Sequence, residues 1–405
     1  MQRVEASTIA IPSAIGMPQV KGWCPGALRS MLSGDGLVLR IRPYGGRLSQ
    51  AQAAGLAELA SRYGNGLLDL TSRANLQIRG VQTSSESALV KGLRALGLLD
   101  DNPDIEARRN ILVSPFAQEG DGTQALAAQL AQALAMPNAP ALPEKFGFAV
   151  DCGEHPVLRS SSADIRIERA PGGFLVSADG FTTGAVTTHL DAIDAALELA
   201  HWFLAATANH NPRGRMARLA TQHTLPTRFQ AVALPAAAAA KPQVGPTAHG
   251  WLVGIEFGQL SASTLAVLSS LGDLRMTPWR LLLIEDTQGR PDVEGLITHA
   301  GDPRLRVVAC IGAPACLQAH MATRHLARAI APLVPLGSTL HISGCAKGCA
   351  HPQDTLTLVG TLTGLNLVLH GQASSTPDVP ALAPESIAAY LAQLFKNCPP
   401  HAPPV

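Results

Sequence analysis

Four cysteines near the C-terminal end of this 405-residue chain could bind a redox-active metal group. Five residues separate Cys310 from Cys316, and three separate Cys345 from Cys349. Four Cys thiolates are the ligands of an iron–sulfur cubane, and adjacent glycines let backbone N–H groups approach the sulfurs. The neighbouring glycines are Gly312, Gly344 and Gly348. The spacing therefore predicts a 4Fe–4S cluster and redox chemistry.

A structural zinc site and a pair of disulfides are the alternatives for these cysteines. Structural zinc typically uses a C-x2-4-C spacing, which the first pair exceeds. The chain has seven cysteines, and Cys24, Cys152 and Cys398 fall outside the two pairs. An odd count in a chain of this length is not typical of a disulfide framework. Both alternatives stay open, and the cluster is the favoured interpretation.

Composition and charge limit the possible classes of protein. The length suggests two or three domains, and 46% hydrophobic residues are enough for sizeable cores. The 31 basic and 30 acidic residues leave a formal net charge of +1. A nearly neutral chain has no general attraction for nucleic acid or anionic membranes. Any anionic ligand must therefore be held by local basic clusters.

The sequence predicts neither a secretory signal nor a membrane-spanning segment. The segment Met1–Pro12 carries Arg3 and Glu5 and lacks a long apolar core, so it does not resemble a secretory signal. The stretch Ala231–Ala240 is apolar, but Pro235 interrupts it and it is too short to span a bilayer. We expect a soluble, cytoplasmic protein, which also suits a reduced cluster.

An internal repeat organises the elements that must position the cysteines. The first copy begins with a strand at residues 36–41. It continues with the segment Gly46–Ser49, an apolar-periodic helix and a strand from Asp69. The same order recurs from Gly250, with Gly258–Ser261 in the position of the second segment. Each copy therefore predicts strand, helix and strand.

A second pair of modules follows the first pair. Residues 109–113 match residues 306–310, and an Ala-rich helical stretch follows each. The alternation in Asp164–Ile167 and in Thr355–Leu358 is typical of half-buried antiparallel hairpins. The chain therefore has the order A-B-A′-B′, and only the last module carries the paired cysteines. A large ligand could lie between two such copies.

Three further segments carry a family resemblance. Thr71–Arg79 (TSRANLQIR), Arg109-Asn110 and Leu142–Phe146 (LPEKF) occur in the same order as the tetrapyrrole- and anion-contacting motifs of the nitrite/sulfite reductase superfamily. With the cysteine spacing, the chain resembles that superfamily from about Lys21 to Gly371. One position departs from the pattern, because Gly147 stands where the reductases typically have a second lysine.

Four segments resemble one branch of the superfamily, the precorrin-3B synthases of aerobic cobalamin biosynthesis. They are Gly22–Arg29, Ser33–Arg40, Lys145–Asp151 and Ser343–Pro352. The resemblance implies an O2-dependent monooxygenase that hydroxylates precorrin-3A at a bridging carbon and closes a lactone from a ring-A acetate. The alternatives are a sirohaem-dependent nitrite or sulfite reductase on the same scaffold and a non-catalytic iron–sulfur electron carrier.

The resemblance also implies an architecture. It is a duplicated α+β fold of the nitrite/sulfite reductase type, with ferredoxin-like half-domains and two iron–sulfur/haem-type α+β domains in pseudo-twofold symmetry. The predicted segments are a first half-domain (1–100), a first α+β domain without cluster ligands (101–225), a linker (226–245), a second half-domain (246–300), a cluster-binding α+β domain (301–380), and a C-terminal helix with a Pro-rich tail (381–405).

Six residues are predicted to contact the carboxylates of the tetrapyrrole. They are Arg73, Asn75, Gln77, Arg79, Arg109 and Lys145. On an extended segment the first four would project from one face, and arginine forks bind carboxylates bidentately. The alternative for this row is an ordinary solvated strand face.

The chemistry needs more than the cluster. Inserting one oxygen atom from O2 and reducing the other to water takes two external electrons, whereas a cluster delivers them singly. The chain has no G-x-G-x-x-G segment between a strand and a helix, so we expect electrons from a separate NADH-linked reductase. The resemblance implies a mononuclear non-haem iron whose ligands no spacing identifies. The candidate side chains are Asp151, His155, His320, His325, His341 and His351.

Overall fold

The structure is a computed structural model that describes residues 24–208, 214–235 and 240–397. The features of the sequence analysis that lie outside these residues are the Met1–Pro12 segment, the Gly22-Trp23 start of one motif, residues 236–239 of the Ala231–Ala240 stretch, Cys398, and the tail Pro399–Val405. The chain divides into two compact units. Among the described residues, the larger unit ends at Val307 and the smaller unit begins at Val308. Each unit is a mixture of helices and strands, as predicted.

The first sheet of the larger unit has five antiparallel strands. In spatial order they are β1 (Met31–Ser33), β2 (Gly36–Ile41), β5 (Leu76–Val81), β4 (Leu67–Leu70) and β14 (Gln259–Ser261). Two helices accompany these strands, α1 (Gln50–Tyr63) and α2 (Thr83–Ala95). On β2, Leu39 and Ile41 are fully buried while Arg40 between them lies on the opposite face.

The second sheet repeats this plan with a second part of the sequence. Its strands are β12 (Gly245–Thr247), β13 (Gly250–Ile255), β16 (Leu281–Glu285), β15 (Leu274–Met276) and β3 (Arg47–Leu48), and β17 (Leu296–Ile297) also pairs with β13. Helix α6 (Ala262–Ser269) packs against α1. The two predicted strand–helix–strand copies are confirmed.

The two sheets exchange their edge strands. Strand β3 leaves the first copy and pairs with β15 of the second, and β14 leaves the second copy and pairs with β4 of the first. These strands are the repeated Gly46–Ser49 and Gly258–Ser261 segments. Their last residues, Ser49 and Ser261, then cap α1 and α6 through the side-chain oxygen.

The exchange gives both copies one hydrophobic core. Leu39 and Ile78 of the first copy belong to the same buried cluster as Leu265 and Leu274 of the second. Burial of each such side chain contributes about 1.5–3 kcal/mol, so neither copy retains its full stabilisation without the other.

The third sheet completes the larger unit. Its strands are β11 (Val232–Ala233), β10 (Thr183–Thr187), β9 (Gly173–Ala178), β8 (Ile165–Ala170), β7 (Phe148–Asp151) and β6 (Ile111–Val113). The accompanying helices are α3 (Pro103–Arg108), α4 (Thr123–Ala135) and α5 (Ala192–Thr207). The β8–β9 hairpin is antiparallel, as its alternation predicts. Because β11 pairs with β10, part of the predicted 226–245 linker belongs to this sheet.

The smaller unit contains the fourth sheet. Its strands are β18 (Val307–Ala309), β19 (Leu340–Ser343), β20 (Thr355–Thr361), β21 (Gly364–Gly371) and β22 (Val379–Leu382). Its helices are α7 (Thr323–Ile330) and α8 (Ile387–Asn397). The predicted second hairpin is present as β20 and β21, and α8 confirms the predicted C-terminal helix. In the described part of the chain, no helix combines the length and the apolar character needed to cross a membrane.

Candidate cluster and tetrapyrrole site

The four paired cysteines lie on two loops of the smaller unit. Cys310 directly follows β18 and Cys316 lies in the loop before α7, whereas Cys345 and Cys349 follow β19. The loops are joined by backbone hydrogen bonds, because Cys310 N donates to Ile342 O at 3.1 Å and His320 N donates to Gly344 O at 2.8 Å. Residues distant in sequence are thereby held at one place.

The thiols influence one another electrostatically. Loss of hydration around the thiol, and then the charges of the other three cysteines, raise the pKa of Cys349 to about 11, although the residue as a whole is exposed. The pKa of Cys345 is also raised, first by burial and then by the charges of Cys316 and Cys310, despite a hydrogen bond from the Lys347 backbone. Four thiolates cannot stay together without a cationic group, and a bound metal supplies one.

The backbone around the thiols suits an iron–sulfur group. The Gly344 N–H donates to the Sγ of Cys310 at 3.2 Å, the kind of hydrogen bond that tunes a cluster. A Cβ at Gly344 would lie 2.6 Å from that of Ala319, so only glycine fits. Gly312 has a φ of +70° and packs equally tightly against Thr323. The four thiols and the glycines packed around them therefore fit an iron–sulfur cluster.

No single-ion site accompanies these loops. Among the described residues, no group of three or more His, Cys, Asp or Glu side chains is arranged to hold one metal ion. Asp151, one candidate for a mononuclear iron, accepts backbone hydrogen bonds from Val157 and Leu158. His341 is fully buried, with its Nδ1 3.5 Å from Thr357 Oγ1.

The predicted tetrapyrrole-contacting segment is not one extended strand. Thr71 Oγ1 accepts hydrogen bonds from the N–H groups of Arg73 and Asn75, and Ala74 has a φ of 54°. Arg73 and Asn75 thus belong to a tight turn, and β5 begins only at Leu76. The prediction of a single face running from Arg73 to Arg79 is therefore wrong, because a left-handed residue interrupts it.

Arg79 on β5 is bound within the protein. Its Nη2 and Nε donate to Asp35 at 2.6 and 3.0 Å, and Nη2 also donates to Ser33 Oγ. Only 5% of the residue is exposed. Its predicted contact with a tetrapyrrole stays a prediction, to which this internal ion pair adds no support.

Arg109 is also engaged internally. Its guanidinium donates to both carboxylate oxygens of Asp100, at 2.7 and 2.9 Å, and to the backbone oxygen of Arg42. It stacks 3.7 Å above the centre of the Tyr44 ring. Removing an arginine that is buried and paired in this way would leave a buried charge uncompensated, and its substrate contact likewise stays a prediction.

Arg73 and Asn75, in contrast, have unused hydrogen-bonding capacity. In the described part of the chain, Arg73 Nε and Asn75 Nδ2 are buried atoms without a hydrogen-bond partner. Arg73 Nη2 donates to the backbone oxygen of Lys145 at 3.4 Å, which places the exposed Lys145 next to it. A buried donor without a partner is costly, so these two atoms are available to an acceptor from outside the chain.

Gln77 leads to a residue that the sequence analysis missed. With its amide oxygen turned toward β2, Gln77 accepts from Arg40 Nε and Nη2 at 3.3 and 3.0 Å. Burial lowers the pKa of Arg40 to about 10, with a further contribution from the charge of Arg42. The signal available in the sequence was an arginine within an apolar strand. The structure pairs this Arg40 directly with Gln77 across the sheet.

A groove of about 600 Å³ lies beside these residues. Cys24, Arg29, Arg42, Glu106 and Glu144 are among its lining residues. Glu106 accepts hydrogen bonds from backbone N–H groups at the start of the described chain, and Glu144 accepts one from Arg29 at 2.8 Å. The predicted Lys145 motif therefore borders an open recess.

Gly147 cannot carry a longer side chain in this backbone. A Cβ there would lie 2.7 Å from Asn110 Nδ2, and Asn110 is buried and donates to the Phe146 oxygen at 3.0 Å. A lysine at this position would require Asn110 to move. The departure noted in the sequence is therefore built into the surrounding structure.

Comparisons with known proteins agree with this architecture. Residues 29–96 match the nitrite/sulfite reductase ferredoxin-like half domain. A precorrin-3B synthase from Sinorhizobium sp is 30% identical over 397 residues, covering 88% of this chain and 84% of that protein. A ferredoxin–nitrite reductase from Synechococcus elongatus is 24% identical, covering 78% and 74% respectively.

A solved structure shows the same fold. The NirA protein of Mycobacterium tuberculosis superposes with a TM-score of 0.65 and 15% identity, covering 89% of this chain and 80% of that one. The predicted α+β architecture of the nitrite/sulfite reductase type is confirmed.

Proposed function

Because the chain belongs to the precorrin-3B synthase family of the nitrite/sulfite reductase superfamily, we propose that it converts precorrin-3A to precorrin-3B in cobalamin biosynthesis. The observation that carries the proposal is the 30% identity to a precorrin-3B synthase along 88% of the chain. The reaction adds one oxygen atom of O2 at a bridging carbon, reduces the other to water with two electrons and two protons, and forms the lactone from a ring-A acetate.

The unpartnered donors support an anionic macrocycle as substrate. Precorrin-3A is fringed with acetate and propionate carboxylates, which fixed arginines bind strongly. Lys145, Arg73 and Asn75 supply hydrogen-bond donors that range from exposed to buried. Arg40 lies near them and is hydrogen-bonded to Gln77. In this proposal Arg73 and Lys145 bind substrate carboxylates, and Asn75 donates to the ring or its substituents.

Cys310, Cys316, Cys345 and Cys349 are proposed as ligands of a 4Fe–4S cluster. When bound, this group supplies electrons one at a time. The chain's own contribution is to hold four thiolates, to donate the Gly344 N–H to Cys310, and to exclude water from the buried Cys310 and Cys345. An NADH-linked reductase outside the chain is the proposed electron source. A mononuclear iron is implied by the family, and no ligand is assigned to it.

The test begins with anaerobically purified protein. Iron, sulfide, zinc and sirohaem are quantified on one sample, and the absorption spectrum is recorded before and after adding precorrin-3A. We expect four sulfides per chain and four irons for the cluster, with a fifth iron where the mononuclear site is filled, no sirohaem, and a spectral change with precorrin-3A. Turnover under labelled O2 should then place one labelled atom in the product.

Two results would contradict the proposal. Stoichiometric sirohaem with reduction of nitrite or sulfite would identify a reductase on the same scaffold. An intact cluster with no response to precorrin-3A, and no product under O2 with a chemical reductant, would leave an electron carrier. Stoichiometric zinc without sulfide would remove the cluster assignment alone.

A further inference from the structure

Two arginines approach the short segment between Lys145 and Gly147 from separate elements. Arg73, in the turn before β5, donates to the backbone oxygen of Lys145. Two residues later, the N–H of Gly147 donates to Asp164 Oδ2 at 3.0 Å. This segment is therefore fixed at both ends by charged side chains.

Asp164 brings Arg215 to the same place. The carboxylate is fully buried, and its Oδ1 accepts from Arg215 Nε at 2.8 Å and from Met216 N at 2.9 Å. Nη1 and Nη2 of Arg215 each donate a hydrogen bond to Ser162 Oγ at 3.2 Å. The arginine side chain is 27% exposed, so its outer edge can reach a ligand.

The charges at this place do not balance. Arg73, Lys145 and Arg215 are cations, whereas Asp164 is the carboxylate that the structure pairs with Arg215. Arg73 contacts the backbone at Lys145, and Arg215 is joined through Asp164 to the backbone at Gly147, two residues away. Burial and then the Arg215 charge lower the pKa of Arg73, and Cys24 and Asp164 act in the opposite direction. Like charges held together in a partly buried site are stabilised by an anion between them.

We infer that Arg215 is a substrate-binding residue that shares a tetrapyrrole carboxylate with Arg73. The inference deepens the proposed function and rests on it. Asp164 takes the Nε edge of Arg215 and fixes its direction. Each Nη atom has a second N–H besides the one donated to Ser162, and we assign these N–H groups to the carboxylate.

The test measures binding instead of turnover. Metal-free uroporphyrin, with eight carboxylates, is titrated into the holoprotein under anaerobic conditions, and the dissociation constant is followed at several salt concentrations. The variants are Arg215→Gln, Arg215→Lys and, as a matched control, Arg159→Gln. Arg159 likewise pairs with a buried carboxylate of the same unit, Glu168, at 2.9 Å.

We expect Arg215→Gln to weaken uroporphyrin binding about ten- to hundredfold and to reduce its salt dependence, because one charged contact is lost. Arg215→Lys should recover part of the affinity. Arg159→Gln should lower thermal stability to a similar extent and leave the affinity unchanged, which separates binding from folding.

Three other outcomes would contradict the inference, and the third would contradict the proposed function as well. If wild-type protein binds uroporphyrin and Arg215→Gln binds it equally well with equal salt dependence, the inference fails while the proposed function stands. If Arg159→Gln weakens binding as much as Arg215→Gln, the effect is structural and the inference fails. If wild-type protein binds neither uroporphyrin nor precorrin-3A, the proposed function fails and the inference with it.

Discussion

The backbone N–H of Gly344 donates a hydrogen bond to the sulfur of Cys310, 34 residues earlier in the sequence. The same glycine leaves no room for a Cβ beside Ala319. Gly344→Ala should therefore displace the loop and weaken cluster retention about ten- to hundredfold, the usual effect of losing a supporting contact at a metal site. Iron and sulfide content per chain measures this. Gly289→Ala is the control, because its Cβ would meet nothing within 4 Å.

Cys349 is the exposed member of the proposed ligand set. Cys349→Ser should abolish the cluster absorption and turnover together, because a serine does not replace a thiolate as a cluster ligand. Cys398→Ser, a cysteine outside the two pairs, should change neither. An intact spectrum in the Cys349 variant would remove this residue from the ligand set.

Arg73 should affect substrate binding and leave the cluster unchanged. Arg73→Gln removes a guanidinium with an unpartnered buried Nε, so the affinity for precorrin-3A should fall about ten- to hundredfold. The cluster spectrum should stay at the wild-type value. Arg94→Gln, on the exposed face of α2, is the control for an ordinary surface charge. Equal affinities of the two variants would exclude Arg73 from the site.

Arg109 gives a test between a substrate contact and a structural role. Arg109→Gln leaves the buried Asp100 carboxylate without its charged partner, which should cost about 3–5 kcal/mol of the free energy of unfolding. Chemical denaturation of the two proteins measures this difference. A variant that keeps its stability and loses affinity would instead confirm the substrate contact predicted from the sequence.

Glu285 should make the larger unit sensitive to acid. Burial alone would raise the pKa of Glu285, but hydrogen bonds from Arg275 and Arg47 outweigh it and hold the pKa below its ordinary value of 4.5. Such a carboxylate contributes stability above the unfolded pKa and loses that contribution as the pH falls through the folded pKa. Thermal unfolding of wild type and Glu285→Gln between pH 3 and 7 should show this.

At pH 7 the Glu285→Gln variant should be less stable by about 2–3 kcal/mol, since Arg47 is half exposed and the pair is only partly buried. The difference should shrink below pH 4.5. A difference that stays constant over the whole range would show that the carboxylate charge does not matter. Glu198→Gln, whose partner Arg228 is exposed, should show almost no effect at any pH.

The regular elements were predictable because their signals are local. Alternating apolar residues place β2 and β13, and the serines at the ends of the repeated segments place the starts of α1 and α6. The exchange of β3 and β14 was not predictable, because alternation determines which face is buried and does not specify the partner strand.

That Arg73 lies next to Lys145 was predictable only from the order of the motifs. The turn at Ala74 has no local signature, since a non-glycine residue with positive φ is uncommon, and this turn separates Arg73 from Arg79. Arg215 was missed because its role depends on Asp164, a buried acid 51 residues away. Lone charged residues usually lie on the surface, and only coordinates show which of them converge.

The exchanged strands also affect how the chain is made. Strand β4, at the edge of the N-terminal sheet, cannot pair until β14 has been synthesised, and the Asp69–Gln259 contact spans 190 residues. At ribosomal rates of about 5–20 residues per second, the newly made N-terminal sheet waits roughly 10–40 s with this edge strand unpaired. Unpaired edges recruit other chains, so this protein should depend on chaperones during synthesis more than its final fold suggests.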